Sequence, residues 1–393
     1  MTSSPFKIPY GRQNISSEDI EAVVEVLKSD WLTQGPNIGT FEKAVAKRCR
    51  ADYAIAVNSA TAALHIACLA LNVGPGDQVW TSPNTFVASA NCARYCGAEI
   101  DFVDIDDDTL NMSIAALENK LAESASSGKL PKVVIPVHFA GQSCDMAAIK
   151  QLSLKYGFHI VEDASHAVGA EYKGSPVGSC EYSDITVFSF HPVKIITTGE
   201  GGLLLTNSET LQNRLLRLRS HGITRDPDFM QSAPIGDWDY HQVELGFNYR
   251  ITDIQAVLGL SQLGKLDEFL LERQKIVRRY RRELADLPIK LQGEISDSRS
   301  ANHLFVIRVL DSFGCTRREL FDLLRSNGIG VNVHYIPVHM QPYYQRLGFQ
   351  TGDFPLAERY YSEAISLPVF AGLSHSDQDY VIALIKQEHS HRI

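Results

Sequence analysis

The apolar runs in the first half of this chain do not alternate with polar residues. Ile55-Ala56-Val57 and Val133-Val134-Ile135-Pro136-Val137 are continuous, which is the pattern of strands covered on both faces rather than on one. Between such runs lie stretches of roughly 10–15 residues with helical spacing. The pattern therefore predicts an α/β fold, with βαβ units around a mostly parallel sheet.

In order, the spacing predicts helices over 17–29, 41–50, 60–71, 86–96, 113–122 and 145–156. Strands are predicted over 53–57, 78–81, 100–103, 132–137 and 159–161. From Asp184 the pattern changes. Segments 185–190 and 202–206 read as two strands whose connection holds Lys194, a hairpin-like excursion within the same sheet. A long helix over 251–284 follows, with Gly264 as a tolerated break costing about 1 kcal/mol relative to Ala. The expected division is a large domain over residues 1–265 and a small C-terminal α+β domain over 266–393. The small domain would hold a strand at 303–310, a helix at 317–327, a strand at 331–335 and two terminal helices.

Composition narrows the function classes. The chain has 393 residues, of which 44% are hydrophobic and 21% charged, as in soluble globular proteins. Its formal charge of −9 argues against nucleic-acid binding, which wants a basic face. The seven cysteines form no CxxC pair, so neither a disulfide framework nor a metal site is expected. Cys92 and Cys96 lie one helical turn apart and could touch. Met1 to Tyr10 lacks the apolar stretch of a signal peptide, and no run of about 18 apolar residues could span a membrane. A cytoplasmic protein without membrane contact is expected. The acidic run Asp104 to Asp108 (DIDDD) is expected to be a solvated loop rather than a cation site.

Four segments fall where an α/β sheet carries its ligands, at the carboxyl ends of strands. Asn58-Ser59-Ala60-Thr61 lies between a buried strand and a helix start, where free N–H groups and the helix dipole attract anions; Ser59 would equally serve as an N-cap. Glu162 and Asp163 end a buried strand, and a carboxylate there needs a partner such as a cationic ring nitrogen. Phe188-Ser189-Phe190-His191-Pro192-Val193-Lys194 runs on to Gly199-Glu200-Gly201-Gly202. A lysine in a dry pocket loses its proton readily and can bond a carbonyl. Gly246-Phe247-Asn248-Tyr249-Arg250-Ile251-Thr252-Asp253 precedes the long helix, with Thr252 or Asp253 as its cap. Neither GxxxxGK[ST] nor GxGxxG is present, so ATP and NAD lack their usual loops.

Together these segments make the match specific. The motifs TQGP, NSATAAL, SPNTFVASAN, EDASHAVGA, FSFHPVKIITTGEGG, RSHG, GFNYRITDIQAVLGLSQL and VHYIPVH resemble the DegT/DnrJ/EryC1/StrS family, pyridoxal-phosphate-dependent aminotransferases of nucleotide-sugar biosynthesis. The likeness runs from Tyr10 to about Leu384. NSATAAL, SANHLF and VHYIPV are most similar to the branch that aminates the 4-keto group of UDP-4-keto-6-deoxy-N-acetyl-altrosamine on the route to pseudaminic acid.

The resemblance implies a fold type I (aspartate-aminotransferase-like) structure, with a mixed seven-stranded sheet and a small C-terminal domain. It implies pyridoxal 5'-phosphate as cofactor, L-glutamate as amino donor and a nucleotide sugar as acceptor. By the same likeness, Lys194 bonds the cofactor and moves the proton, and Asp163 pairs with the ring nitrogen. Phe86 stacks on the ring, His166 lies beside it, and Ala60, Thr61 and Ser189 hold the phosphate. Asn248 would reach the phosphate of a partner subunit's cofactor, making the site composite and the homodimer obligatory. Tyr10, Asp30, Trp31, Leu32, Thr33, Asn332, Val333, His334 and Tyr335 would line the sugar-nucleotide pocket. Arg250 and His221 are candidates for a pyrophosphate or a carboxylate. A sugar 3-dehydratase branch carries histidine at the lysine position, so Lys194 speaks against it; His191 stands three residues earlier. A non-catalytic cofactor-binding regulator would not need Lys194, Asp163 and Ser189 together. Other 3- or 4-keto sugars are poorly separated, because hydroxyl stereochemistry is read by pocket shape.

Overall fold

The computed structural model describes residues 6–392; the first five residues of the Met1–Tyr10 segment and Ile393 lie outside the described residues. Seven strands build the main sheet: β1 (Tyr53–Val57), β2 (Gln78–Thr81), β3 (Glu99–Phe102), β4 (Val133–Ile135), β5 (His159–Asp163), β6 (Ile185–Ser189) and β7 (Gly202–Thr206). Their spatial order is β1-β7-β6-β5-β4-β2-β3. Only β7 runs antiparallel to its neighbours; every other pairing is parallel. The predicted excursion between 185–190 and 202–206 is thus a true antiparallel pair inside the sheet.

Helices cover both faces, as the unalternating strands require. The first helices in chain order are α1 (Ser17–Lys28), α2 (Pro36–Cys49), α3 (Ala60–Ala70), α4 (Ala88–Tyr95), α5 (Ile114–Ser127), α6 (Met146–Tyr156), α7 (Glu209–Arg219), α8 (Asp253–Leu263) and α9 (Leu266–Glu283). Ile55, Val57, Val161, Val187 and Leu204 pack with Leu64, Ile66 and Ala67 of α3 and Ala90 and Ala93 of α4. On the other face Ala56, Phe188, Leu203 and Leu205 meet Phe41 and Val45 of α2 and Ala256 of α8. Burying each large side chain contributes about 1.5–3 kcal/mol. Among the described residues no helix is long and apolar enough to cross a membrane.

Four expectations are corrected. First, α2 starts at Pro36, not Phe41. Its open first turn is capped from afar, the Asp253 carboxylate accepting from Ile38 N at 3.2 Å and from Asn37 Nδ2 at 2.7 Å. Second, the predicted helix over 251–284 is two helices. α8 ends at Leu263, with Gly264 and Lys265 between it and α9. The break aims Lys265 at the buried Asp19, Nζ to Oδ2 at 2.5 Å. Third, 331–335 is not a strand. It makes one isolated bridge, Asn332 to Ser366. The carbonyl of His334 is taken by the Tyr360 hydroxyl, which donates at 2.6 Å, rather than by a ladder. The C-terminal three-stranded sheet instead uses Ile289–Leu291, Phe305–Val309 and Ala364–Leu367. Its core includes Phe313, Leu320 and Ile385, and also Ile8 from the start of the chain.

Fourth, the DIDDD loop is not simply solvated. Asp107 pairs with Lys290 at 2.8 Å, Arg308 at 2.8 Å and Arg359 at 2.5 Å. Asp104 accepts from Leu356 N and Ala357 N, both at 3.0 Å, capping the helix Pro355–Glu363. The loop therefore fastens the far edge of the main sheet to the C-terminal sheet. Burial opposes ionisation of Asp107, but Lys290, Arg359 and Arg308 outweigh it and hold the carboxyl well below the usual carboxylate range. The Arg308 side chain is only 2% exposed, so Asp107→Asn leaves a buried cation half-paired. A loss of about 2 kcal/mol is expected, read as a lower urea midpoint; an unchanged midpoint would return the loop to the solvated class.

Candidate active site

The site forms where β1, β5 and β6 end and β7 begins, around the start of α3. Ser59 leaves β1 in extended backbone, and its Oγ accepts from Ala62 N at 3.1 Å, so the cap is real. The first N–H groups of α3, from Ala60 and Thr61, have no intrahelical partner and face outward with the positive helix end. Gly202, the first residue of β7, lies against this turn. A Cβ there would stand 2.5 Å from the backbone of Ser59 and Ala60, so only glycine lets the strand approach the helix start. Ser189 ends β6 and is buried. Its Oγ accepts from His191 N at 3.4 Å, which leaves the hydroxyl proton free to donate.

Asp163 ends β5 and is buried. Ser89 Oγ donates to its Oδ2 at 2.6 Å, and Ser165 N donates to its Oδ1 at 3.1 Å. Lys194 sits in the β6–β7 connection, half-buried, with its backbone N–H on His191 O at 2.9 Å. Burial pushes the Lys194 amine down to about 8 against the opposing pull of Asp163. In the cofactor-free protein, the rate at which an aldehyde reagent traps this amine should rise with pH and reach half its maximum near pH 8. A midpoint at the ordinary lysine value of about 10.4 would overturn this environment.

Three buried histidines share the site. Burial above all, with the charge of Lys194 behind it, holds His166 and His303 well below the usual imidazole range and His334 down to about 3. For His303 the neighbouring His166 adds to this effect. The rings of His166 and His303 lie 4.4 Å apart. The Tyr335 hydroxyl is 3.0 Å from His166 Nε2, and His334 Nδ1 is 2.8 Å from Ser366 Oγ. Neutral imidazoles can donate at one nitrogen and accept at the other. Nδ1 of His166 is buried without a partner among the described residues.

The sequence-predicted residues are placed as follows. Asp163, Lys194, His166, Tyr335 and His334 converge, with Tyr10 alongside, its ring 5.5 Å from that of His334. The next residue, Gly11, runs beside Val193. Phe86 lies in the turn before α4, exposed at 59% and 6.3 Å from the Tyr335 ring; an aromatic left uncovered there is available to stack. Asn332 reaches His334 Nε2 at 3.4 Å, and Val333 lies between them, half-buried. Asp30, Trp31, Leu32 and Thr33 form an exposed turn, tied to the α8 start by Asp253 N donating to Leu32 O at 3.1 Å. No contact joins that turn to Lys194 among the described residues. Asn248 is exposed, its carbonyl accepting from Asn58 Nδ2 at 3.4 Å. Thr252, not Asp253, caps α8. Sequence reasoning missed Ser89 and His303, although both lie inside quoted motifs. Among the described residues no cluster could hold a metal ion.

These residues fit pyridoxal 5'-phosphate. An outward helix start with a glycine pressed against it suits a phosphate. A buried carboxylate suits the ring nitrogen, and an amine with a depressed pKa suits the carbonyl carbon. The unpartnered His166 Nδ1 leaves a buried polar atom for a ligand. Fold and site thus define a fold type I pyridoxal-phosphate-dependent enzyme.

Comparison with known proteins narrows this class. The profile of the DegT/DnrJ/EryC1/StrS aminotransferase family matches residues 13–386. The chain is 40% identical over 383 residues to the spore coat polysaccharide biosynthesis protein SpsC of Bacillus subtilis (strain 168), covering 96% of each. It is 38% identical over 378 residues to the UDP-4-amino-4,6-dideoxy-N-acetyl-beta-L-altrosamine transaminase of Campylobacter jejuni subsp. jejuni serotype O:2, covering 95% of each. Among solved structures it is similar to Helicobacter pylori PseC, described as an aminotransferase involved in the biosynthesis of pseudoaminic acid. The TM-score is 0.88 at 30% identity, over 98% of this chain and 99% of that one. The chain belongs to the DegT/DnrJ/EryC1/StrS aminotransferase family and is a pyridoxal-phosphate-dependent sugar aminotransferase.

Proposed function

We propose that this enzyme transfers the amino group of L-glutamate to C4 of UDP-2-acetamido-2,6-dideoxy-beta-L-arabino-hex-4-ulose, a cytoplasmic step toward pseudaminic acid. The observation that carries the chemistry is the convergence of Lys194, Asp163 and three neutral histidines on one cleft. The sugar assignment is supported by the Campylobacter and Helicobacter relatives and by the NSATAAL, SANHLF and VHYIPV segments.

In this reading the N–H groups of Ala60 and Thr61, with the Ser189 hydroxyl, hold the cofactor phosphate. Phe86 covers one ring face, His166 lies beside the ring, and Asp163 keeps a proton on the ring nitrogen. The cofactor, when bound, supplies the electron sink that lets a carbon-bound proton leave. Lys194 Nζ takes the proton from the donor's α-carbon, and in the second half-reaction returns one to sugar C4. Glutamate leaves as 2-oxoglutarate before the keto sugar enters, so ping-pong kinetics are expected. Tyr10, His334 and Tyr335, with Asn332 and Val333, form the wall on which the sugar is oriented. Asp30, Trp31, Leu32 and Thr33, exposed here, and Asn248 would complete the pocket across a homodimer contact.

The test is the visible absorption of the purified protein with pyridoxal 5'-phosphate, before and after UDP-4-amino-4,6-dideoxy-N-acetyl-altrosamine or L-glutamate. Bleaching by the amino sugar supports the whole proposal. Bleaching by glutamate alone removes the sugar assignment but keeps the donor. Absence of the lysine-bound band overturns the role of Lys194.

A further inference from the structure

Beneath Asp163 lies a hydroxyl chain that the mechanism above does not use. Thr85, Ser89 and Asp163 are all buried, with at most 5% exposure. Thr85 Oγ1 is 2.8 Å from Ser89 Oγ, and Ser89 Oγ is 2.6 Å from Asp163 Oδ2. An ionised carboxylate only accepts, so the Ser89 proton is committed to Asp163. The alternative acceptor, Phe86 O, is 3.3 Å away. Ser89 can then only accept from Thr85, which fixes the direction of the whole chain from Thr85 through Ser89 to Asp163. Each bond polarises the next. Ser165 N takes the other carboxylate oxygen at 3.1 Å, so both oxygens are held and the carboxylate plane cannot rotate freely.

Thr85 and Ser89 flank Phe86, the exposed aromatic of the same turn. Helix α4 is itself tied down, Asn91 Oδ1 accepting from the Tyr344 hydroxyl at 2.6 Å. One short segment therefore sets both the carboxylate edge and the ring-facing aromatic.

We propose that Ser89, backed by Thr85, is a positioning residue that orients Asp163 and, through the shared turn, registers Phe86 against the same ligand ring. The proposal rests on the assignment of Asp163 to the cofactor's ring nitrogen. A donor on each oxygen fixes the plane in which the carboxylate meets the facing nitrogen. Removing the donor would loosen the ring's orientation and weaken its grip without touching the phosphate site or the amino donor.

The test titrates cofactor-free protein with pyridoxal 5'-phosphate, using Ser89→Ala, Thr85→Val and Asp163→Asn. It reads the Kd, the circular dichroism of the bound cofactor, and kcat and KM for glutamate. Ser89→Ala should raise Kd about tenfold, as expected for one lost hydrogen bond to a charged group. It should reduce the dichroic band and lower kcat about tenfold, with KM within about twofold of the parent. Thr85→Val, nearly isosteric, should move the same readouts in the same direction by less. If Ser89→Ala fails to fold, Thr85→Val decides alone. Parental Kd, dichroism and kcat in the folded variants would overturn the proposal. If Asp163→Asn also binds like the parent, the assignment of Asp163 itself has failed, and the two failures are thereby told apart.

Discussion

Lys194→Ala should lower transamination at least about 10³-fold, since positioned proton transfer alone is worth 10²–10⁴ and the covalent hold on the cofactor is lost as well. The fold should survive, because Lys194 is a half-buried loop residue and the buried neighbours Ile195 and Ile196 are untouched. The unfolding temperature of the cofactor-free variant should therefore match the parent. Single turnovers with glutamate give the rate, and added methylamine, a small free base, should restore part of it. Appreciable turnover by the unassisted variant would remove Lys194 from the reaction. The neighbouring histidines cannot substitute. Burial holds His166 and His334 well below the usual imidazole range, which makes them weak bases, and neither can bond a carbonyl carbon as an amine does.

The second large effect is expected at Asp163. Asp163→Ala removes the carboxylate whose charge acts on Lys194 and strands two donors, Ser89 Oγ and Ser165 N. Cofactor retention should fall by more than tenfold, and kcat by about 10²-fold, as for other electrostatic stabilisers. Dialysis followed by absorbance measures the first, and single turnovers with saturating cofactor the second. An unchanged rate at full occupancy would leave Asp163 only a structural role.

Much of this was legible because it is local. Unalternating runs such as Val133 to Ile135 place strands from composition alone, and Lys194 stands among glycines and prolines that mark a loop. What escaped the reading depends on residues far apart in the chain. The first turn of α2 is stabilised by Asp253, 215 residues from Ile38, so no window around Pro36 shows it. The helix break after Leu263 makes sense only beside Asp19, 246 residues away. Segment 331–335 has a strand's composition, but Tyr360 and Ser366 take its polar groups. Ser89 lies inside a recognised motif, yet its spacing does not say that Asp163 stands over it. The acidic loop was misread for the same reason: four aspartates in five residues look solvated until the cations beside Asp107 are found.

That loop also bears on the order in which the chain acquires its structure. Asp107 emerges from the ribosome 183 residues before Lys290 and 201 before Arg308. Ala357, which Asp104 caps, follows 253 residues after it. An unmatched apolar edge left waiting that long invites aggregation, whereas carboxylates wait hydrated and soluble. The ionic half of this junction can wait in that way, whereas its apolar half, Phe102 against Tyr344, Phe349 and Phe354, closes only when the C-terminal segment arrives.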